Sequence, residues 1–236
     1  MIFADLGAAL KISLPVIAML ILGLLLLPTT PEAVAAGTEL PGPVLRIALQ
    51  LLGGFATLWV AVAWHRYVLL SEYPGSVLPA FHGGRVLAYF GWSVVLGVVL
   101  FVLPGAIIAL LAWAVTGGLT EELSAGVILP IFLAALVLVW VSVRLSLVLP
   151  AAAIGERLGL RGSWQATRPI ALGIVGLFFL TLGFGMLLMV GVVLSFYALP
   201  LAGQIATVIV QWIMTLLQLS ILTTIYGVYV QGRSLD

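Results

Sequence analysis

The stretch RLSLVLPAAAIGERLGLRGSWQATR, residues 144–168, decides how this chain is arranged. The whole chain has nine basic and eight acidic side chains in 236 residues, and five of those charges fall here. Hydrophobic residues make up 64% of the chain and charged residues only 7%, whereas a soluble domain carries about 25% charge. So little polarity cannot cover a soluble fold of this size, so the sequence reads as an integral membrane protein. The question is why its polarity collects in one place.

On either side of the stretch the chain is a series of apolar runs. A membrane-crossing helix needs about 20 mainly apolar residues. The runs are 12–28, 44–70, 86–116, 125–149, 169–198 and 203–230. Uninterrupted runs of this length are helices, because membrane strands alternate and are about ten residues long. The third run would reach about 46 Å as a straight helix, against a hydrocarbon core of about 30 Å. Pro104-Gly105 lies inside it. A helix kinked or broken near Pro104 is expected, with residues 105–116 kinking away or lying at the interface.

Lysines and arginines orient the spans, because cytoplasmic connections collect them. Lys11, Arg66, Arg85, Arg144, Arg157, Arg161, Arg168 and Arg233 fall on one side when six spans are drawn, and Arg46 alone falls on the other. The outer connections carry acids only: Glu32 and Glu39 in the first, Glu121 and Glu122 in the second. The expected fold is therefore an all-α integral membrane protein, one domain over 1–236, with six transmembrane helices and both termini cytoplasmic. Splitting the third run in two would put the arginine-rich stretch outside, and the charge bias rejects it. Residues 144–168 become the cytoplasmic connection between spans four and five, where arginines collect for insertion alone. The first run, with AVAA at 33–36, resembles a signal peptide but is read as a retained span. Pro15 is expected to separate an interfacial turn from it.

Groups that do chemistry are sparse. The chain has no cysteine, hence no disulfide and no thiolate ligand. Its two histidines, His65 and His82, are not spaced as metal ligands and read as interfacial polar residues. Phosphate-binding glycine loops and nucleophile elbows are absent from the sequence. The net charge of +1 gives no sign of nucleic acid. No enzymatic activity and no cofactor are expected.

Polar residues inside the spans are few. Gln211, Thr215 and Gln218 fall at i, i+4 and i+7 on one face of span six. They form a candidate polar path, against the plainer reading of interhelical hydrogen bonding. Gly173, Gly176, Gly183 and Gly191 mark a packing face on span five. Tyr67, Tyr73, Tyr89, Phe90, Trp92 and Trp164 read as an aromatic belt at the cytoplasmic interface. Arg144 sits just inside a span end, where two readings stay open. It snorkels to the interface, or it pairs with Glu156 or Glu72.

The connection at residues 66–91, RYVLLSEYPGSVLPAFHGGRVLAYFG, shares the layout of the later one: an arginine at a helix end, an apolar run, one glutamate, then glycine and arginine before the next span. Four or five positions agree. In the later connection, Arg144, Pro150, Ala153, Ile154, Glu156, Gly159, Ser163, Trp164 and Thr167, together with Tyr226 and Tyr229 of span six, form an ordered pattern. That pattern resembles the membrane domain of glycerophosphoryl diester phosphodiesterases. It is similar too to uncharacterised six-span bacterial membrane proteins of that type. The resemblance implies the six-span layout in a bacterial inner membrane, with Ser163 capping a short helix and Glu156 on a structural elbow with Arg144. It implies no activity, since the chemistry of those enzymes belongs to a separate soluble domain.

Two functions are weighed. The first is a non-enzymatic inner-membrane accessory or scaffold protein. It would bind membrane lipids, other integral membrane proteins or a second copy through an arginine-rich rim of Arg66, Arg85, Arg157, Arg161 and Arg168 with Trp164. The second is a transporter or channel for a small or amphipathic solute, with its path along Gln211, Thr215 and Gln218.

Overall fold

The computed structural model describes residues 5–26, 42–102, 104–106, 109 and 125–234. Among the described residues every regular element is helical, and six helices are long and apolar enough to cross a membrane. The protein is a multi-pass helical membrane protein. Hydrocarbon offers backbone groups no partner, so these apolar runs satisfy their own N–H and C=O groups as helices.

In chain order the helices are α1 (Leu6–Leu26), α2 (Pro43–Leu70), α3 (Gly83–Gly97), α4 (Ala125–Leu145), α5 (Val148–Ile154), α6 (Leu160–Ala166), α7 (Ala171–Ala198) and α8 (Pro200–Tyr229). A 3₁₀ turn at Arg168–Ile170 leads into α7. Helices α1, α2 and α8 pack together around Ala9, Ile12, Val16, Val60, Trp64 and Leu216. The Trp212 indole N–H donates to Ser13 Oγ at 2.7 Å and ties α8 to α1.

The short helix α5 is the hub of the arginine-bearing end. It packs against α2, α3 and α8, and Val148, Pro150, Ala151, Ala152 and Ala153 are all buried. Small side chains let three longer helices close on one short one. Pro150 is tolerated because it lies in the first turn, where its missing N–H would have had no helical partner.

Several boundaries differ from those read off the sequence. Helix α1 starts at Leu6 and runs through Pro15 without the expected break. Proline removes one N–H from the ladder, and the buried neighbours Ile12, Ser13 and Val16 hold the helix together there. Helix α3 passes into a π-helical turn at Val98–Val102. Pro104, just beyond it, has no N–H to give to the ladder. The fourth span reaches Ile154 through a turn at residues 146–147, further than the run of 125–149. The two look-alike connections also differ. The later one folds into α5 and α6, while 71–82 forms no helix. The outer connections, with Glu32, Glu39, Glu121 and Glu122, and most of 105–116 lie outside the described residues.

Among the described residues nothing packs against the glycine stripe of α7. A Cβ at Gly173, Gly176, Gly183 or Gly191 would meet nothing within 4 Å. Helix α7 lies chiefly along α8 and leaves large apolar side chains open, Leu172 at 87% and Leu180 at 72%. Lipid tails are as apolar as leucine, so burying these side chains brings little gain in a bilayer.

One glycine is required by space. Leu199 alone separates α7 from α8, and Pro200 opens α8. The tight turn puts Gly203 against Phe196, where a Cβ would lie 2.2 Å from the ring's Cγ. Gly203→Val should therefore cost about 1–3 kcal/mol through overpacking. Gly191→Val, in open space, should stay within about 0.5 kcal/mol of the native chain. Unfolding of each variant by denaturing detergent in mixed micelles measures the difference.

Candidate functional site

A helix leaves its last four carbonyls without intrahelical partners. The arginine-bearing end of this bundle gathers the ends of α2, α4, α5, α6 and α8, and arginines answer three of those ends. The Arg233 guanidinium donates to Val68 O at 3.1 Å and makes a second, short bond to Leu69 O, closing α2. Arg66 Nη1 donates to Ala153 O at 3.3 Å, next to the end of α5. Arg144 Nη2 donates to Trp164 O at 2.7 Å, in the last turn of α6.

Arg66 has a second duty. Its Nε and Nη2 reach Glu72 Oε2 at 2.8 and 2.6 Å. His82 Nε2 lies 3.2 Å from the other carboxylate oxygen. Gly155 ends α5 with φ at 88°, a left-handed conformation that favours glycine. The Arg85 guanidinium covers it so closely that a Cβ would sit 2.5 Å from Arg85 Cζ. The backbone angle is what favours glycine there, since the exposed end of the Arg85 side chain can swing aside.

Arg144 is the unusual member. It is only 4% exposed, yet among the described residues it pairs with no acid. Its guanidinium carbon sits 3.5 Å from the centre of the Trp164 ring and 4.9 Å from that of Trp140. The two indoles meet edge to face at 5.5 Å. Arg144 Nε donates to Thr167 Oγ1 at 3.2 Å. Ser163 Oγ donates back to the Arg144 carbonyl at 2.6 Å, and Ser163 and Thr167 are fully buried. A cation over a desolvated aromatic face gains about 2 kcal/mol, and here two faces share the task.

This corrects both readings of Arg144. It does not snorkel to water, and neither candidate acid reaches it. Glu72 is held by Arg66 and His82. Glu156 accepts a short hydrogen bond from the Tyr226 hydroxyl and another from Gln231 Nε2 at 3.2 Å. Ser163 is no cap either. Gly159 occupies the cap of α6, and Ser163 lies inside the helix facing α4.

The remaining rim arginines are free for other work. Arg85, Arg157, Arg161 and Arg168 are exposed, and their side chains form no ion pair or hydrogen bond among the described residues. Trp164 is 37% exposed between Arg161 and Arg168 in the sequence.

The polar stripe of span six separates. Thr215 spends its hydroxyl on Gln211 O at 2.8 Å, and Gln211 and Gln218 are exposed. Only Gln218 lines a groove, of about 640 Å³, between α4, α7 and α8, together with Val143, Ile174, Thr181 and Met214. The three residues do not share one path.

His65 was read as interfacial, but it is fully buried. Its Nδ1 lies 2.7 Å from Thr223 Oγ1, and Thr223 spends its own proton on Leu219 O at 2.6 Å. The His65 Nδ1 must therefore donate, which leaves Nε2 to accept from the Tyr89 hydroxyl at 3.5 Å. Tyr89 is buried in this group. Among the described residues no three ligating side chains come together to hold a metal ion.

Sequence reasoning missed Trp140, although it stands four residues before Arg144, a spacing that shares a helix face. It also missed the role of Thr167, because the contact spans 23 residues. No family model, no curated protein and no solved structure matches this chain.

Trp164→Leu removes the nearer aromatic face and should lower stability by about 2 kcal/mol. Arg161→Gln on the same helix should change it by less than about 0.5 kcal/mol. Thermal unfolding of both variants in the same detergent tests the contrast.

Proposed function

We propose that this chain is a non-enzymatic accessory or scaffold protein of a bacterial inner membrane, whose arginine-bearing end faces the cytoplasm and holds anionic phospholipid head groups. The observation that carries this reading is the division of labour among the arginines. Arg66, Arg144 and Arg233 are used up on helix-end carbonyls, Glu72 and aromatic faces. Arg85, Arg157, Arg161 and Arg168 stand exposed with no protein partner among the described residues. Four guanidinium groups with no protein partner among the described residues, at one end of an apolar bundle, suit the phosphate level of a leaflet. Each basic residue near an anionic leaflet contributes about 1 kcal/mol, and the guanidinium fork suits a phosphate.

In this reading the rim fixes the depth and tilt of the bundle and recruits a local shell of acidic lipid. The open apolar faces of α7 meet acyl chains or a neighbouring membrane protein. The transport reading draws on Gln218 and its groove alone, since Gln211 and Thr215 lie outside it.

The test replaces Arg85, Arg157, Arg161 and Arg168 together by glutamine. Lipid that stays with the protein through gentle solubilisation is then counted by mass spectrometry. The acidic fraction should fall at least severalfold while neutral lipid stays constant. An unchanged acidic fraction would sink the reading.

A further inference from the structure

We infer that the rim contains one built site for a single anionic phospholipid, at the seam of α4 and α7; the inference rests on the lipid reading above and gives it an address. The head-group part is the outer face of α6. Arg161, Trp164 and Arg168 fall at i, i+3 and i+7, so they line one side of the helix and the turn that follows. Both arginines are exposed. The buried Arg144 lies against the same helix, donating to Trp164 O and to Thr167 Oγ1, next in sequence to Arg168.

Among the described residues no carboxylate forms an ion pair with Arg144, Arg161 or Arg168. Glu156 is taken by Tyr226 and Gln231, and Glu72 by Arg66 and His82. Three positive charges, one of them withdrawn from water, leave an excess that calls for an anion. Hydrogen bonds and aromatic faces orient Arg144, but they do not neutralise it.

The tail part begins where the head-group part ends. Trp140 packs on Trp164 and donates its indole N–H to Ala171 O at 2.7 Å, at the first residue of α7. The same Trp140 forms one end of an apolar groove of about 280 Å³, lined also by Val137, Leu172, Val175 and Phe179. From Leu172 to Phe179 the groove follows α7 for about 10 Å. A phosphate over Arg161 and Arg168 would therefore hang a chain straight into an apolar slot. Free phosphate would leave the slot empty, and a neutral lipid would leave the charges unanswered. The combination fits an anionic phospholipid.

The experiment is native mass spectrometry of the full chain in detergent, titrated with phosphatidylglycerol or phosphatidylcholine. The native chain should retain one phosphatidylglycerol in preference to phosphatidylcholine. The double variant Arg161→Gln/Arg168→Gln should bind it about thirtyfold more weakly. Filling the slot from either wall, by Val175→Trp or Val137→Trp, should release it to a similar degree. Both positions face away from the core, so two independent fillings guard against one misfolded variant. Arg46→Gln, at the opposite end of the bundle, should leave binding unchanged. Equal weakening by Arg85→Gln together with no effect of either filling would overturn the seam site and leave the broader rim reading standing. Displacement of the lipid by equimolar inorganic phosphate would overturn it in favour of a free-anion site. No preference for phosphatidylglycerol in the native chain would overturn both readings.

Discussion

Every helix in this bundle ends in carbonyls that the helix itself cannot satisfy, and the chain has very few polar side chains to offer them. In water the solvent would supply partners. At the edge of hydrocarbon an unsatisfied carbonyl is costly, so the scarce arginines are drawn to helix ends. Arg233 closes α2, Arg66 bonds near the end of α5 and Arg144 reaches the last turn of α6. One long side chain with five donors serves a helix end and still reaches a second partner. Arg66 does so with Glu72, and Arg144 with Thr167.

The rest of the arrangement follows from that demand. Helix α5 must be short and lined with alanine so that α2, α3 and α8 bring their ends close together. Glycine at 155 suits the left-handed turn that ends α5. Glu156 leaves the arginines and serves Tyr226 and Gln231, which fastens the connection to α8. What remains outside this structural use is a set of exposed arginines. In the proposed reading these are the groups that meet lipid phosphate.

The six spans were legible because each is set by composition along a continuous run. The common end of α2, α4 and α8 was legible from the arginine bias alone. The arginine partners were not, because they are backbone carbonyls and ring faces, which carry no mark in a sequence. Arg144 looked as though it needed an acid, since a buried cation usually takes one. Two indoles and two dipolar oxygens replace it, and Glu156 finds its partner 70 residues away in Tyr226. The glycine stripe of α7 misled for a similar reason. Small residues permit a close neighbour, but spacing cannot say whether the chain supplies one. Pro15 misled because its local effect is outweighed by the packing of α1 on α2 and α8.

The central claim is that Arg144 is held as a buried cation by aromatic faces instead of a carboxylate. A double-mutant cycle between Arg144→Met and Trp164→Leu, read by unfolding in mixed micelles, measures that contact directly. The account predicts a coupling of about 1–2 kcal/mol between the two positions. Additive effects, within about 0.3 kcal/mol, would contradict it.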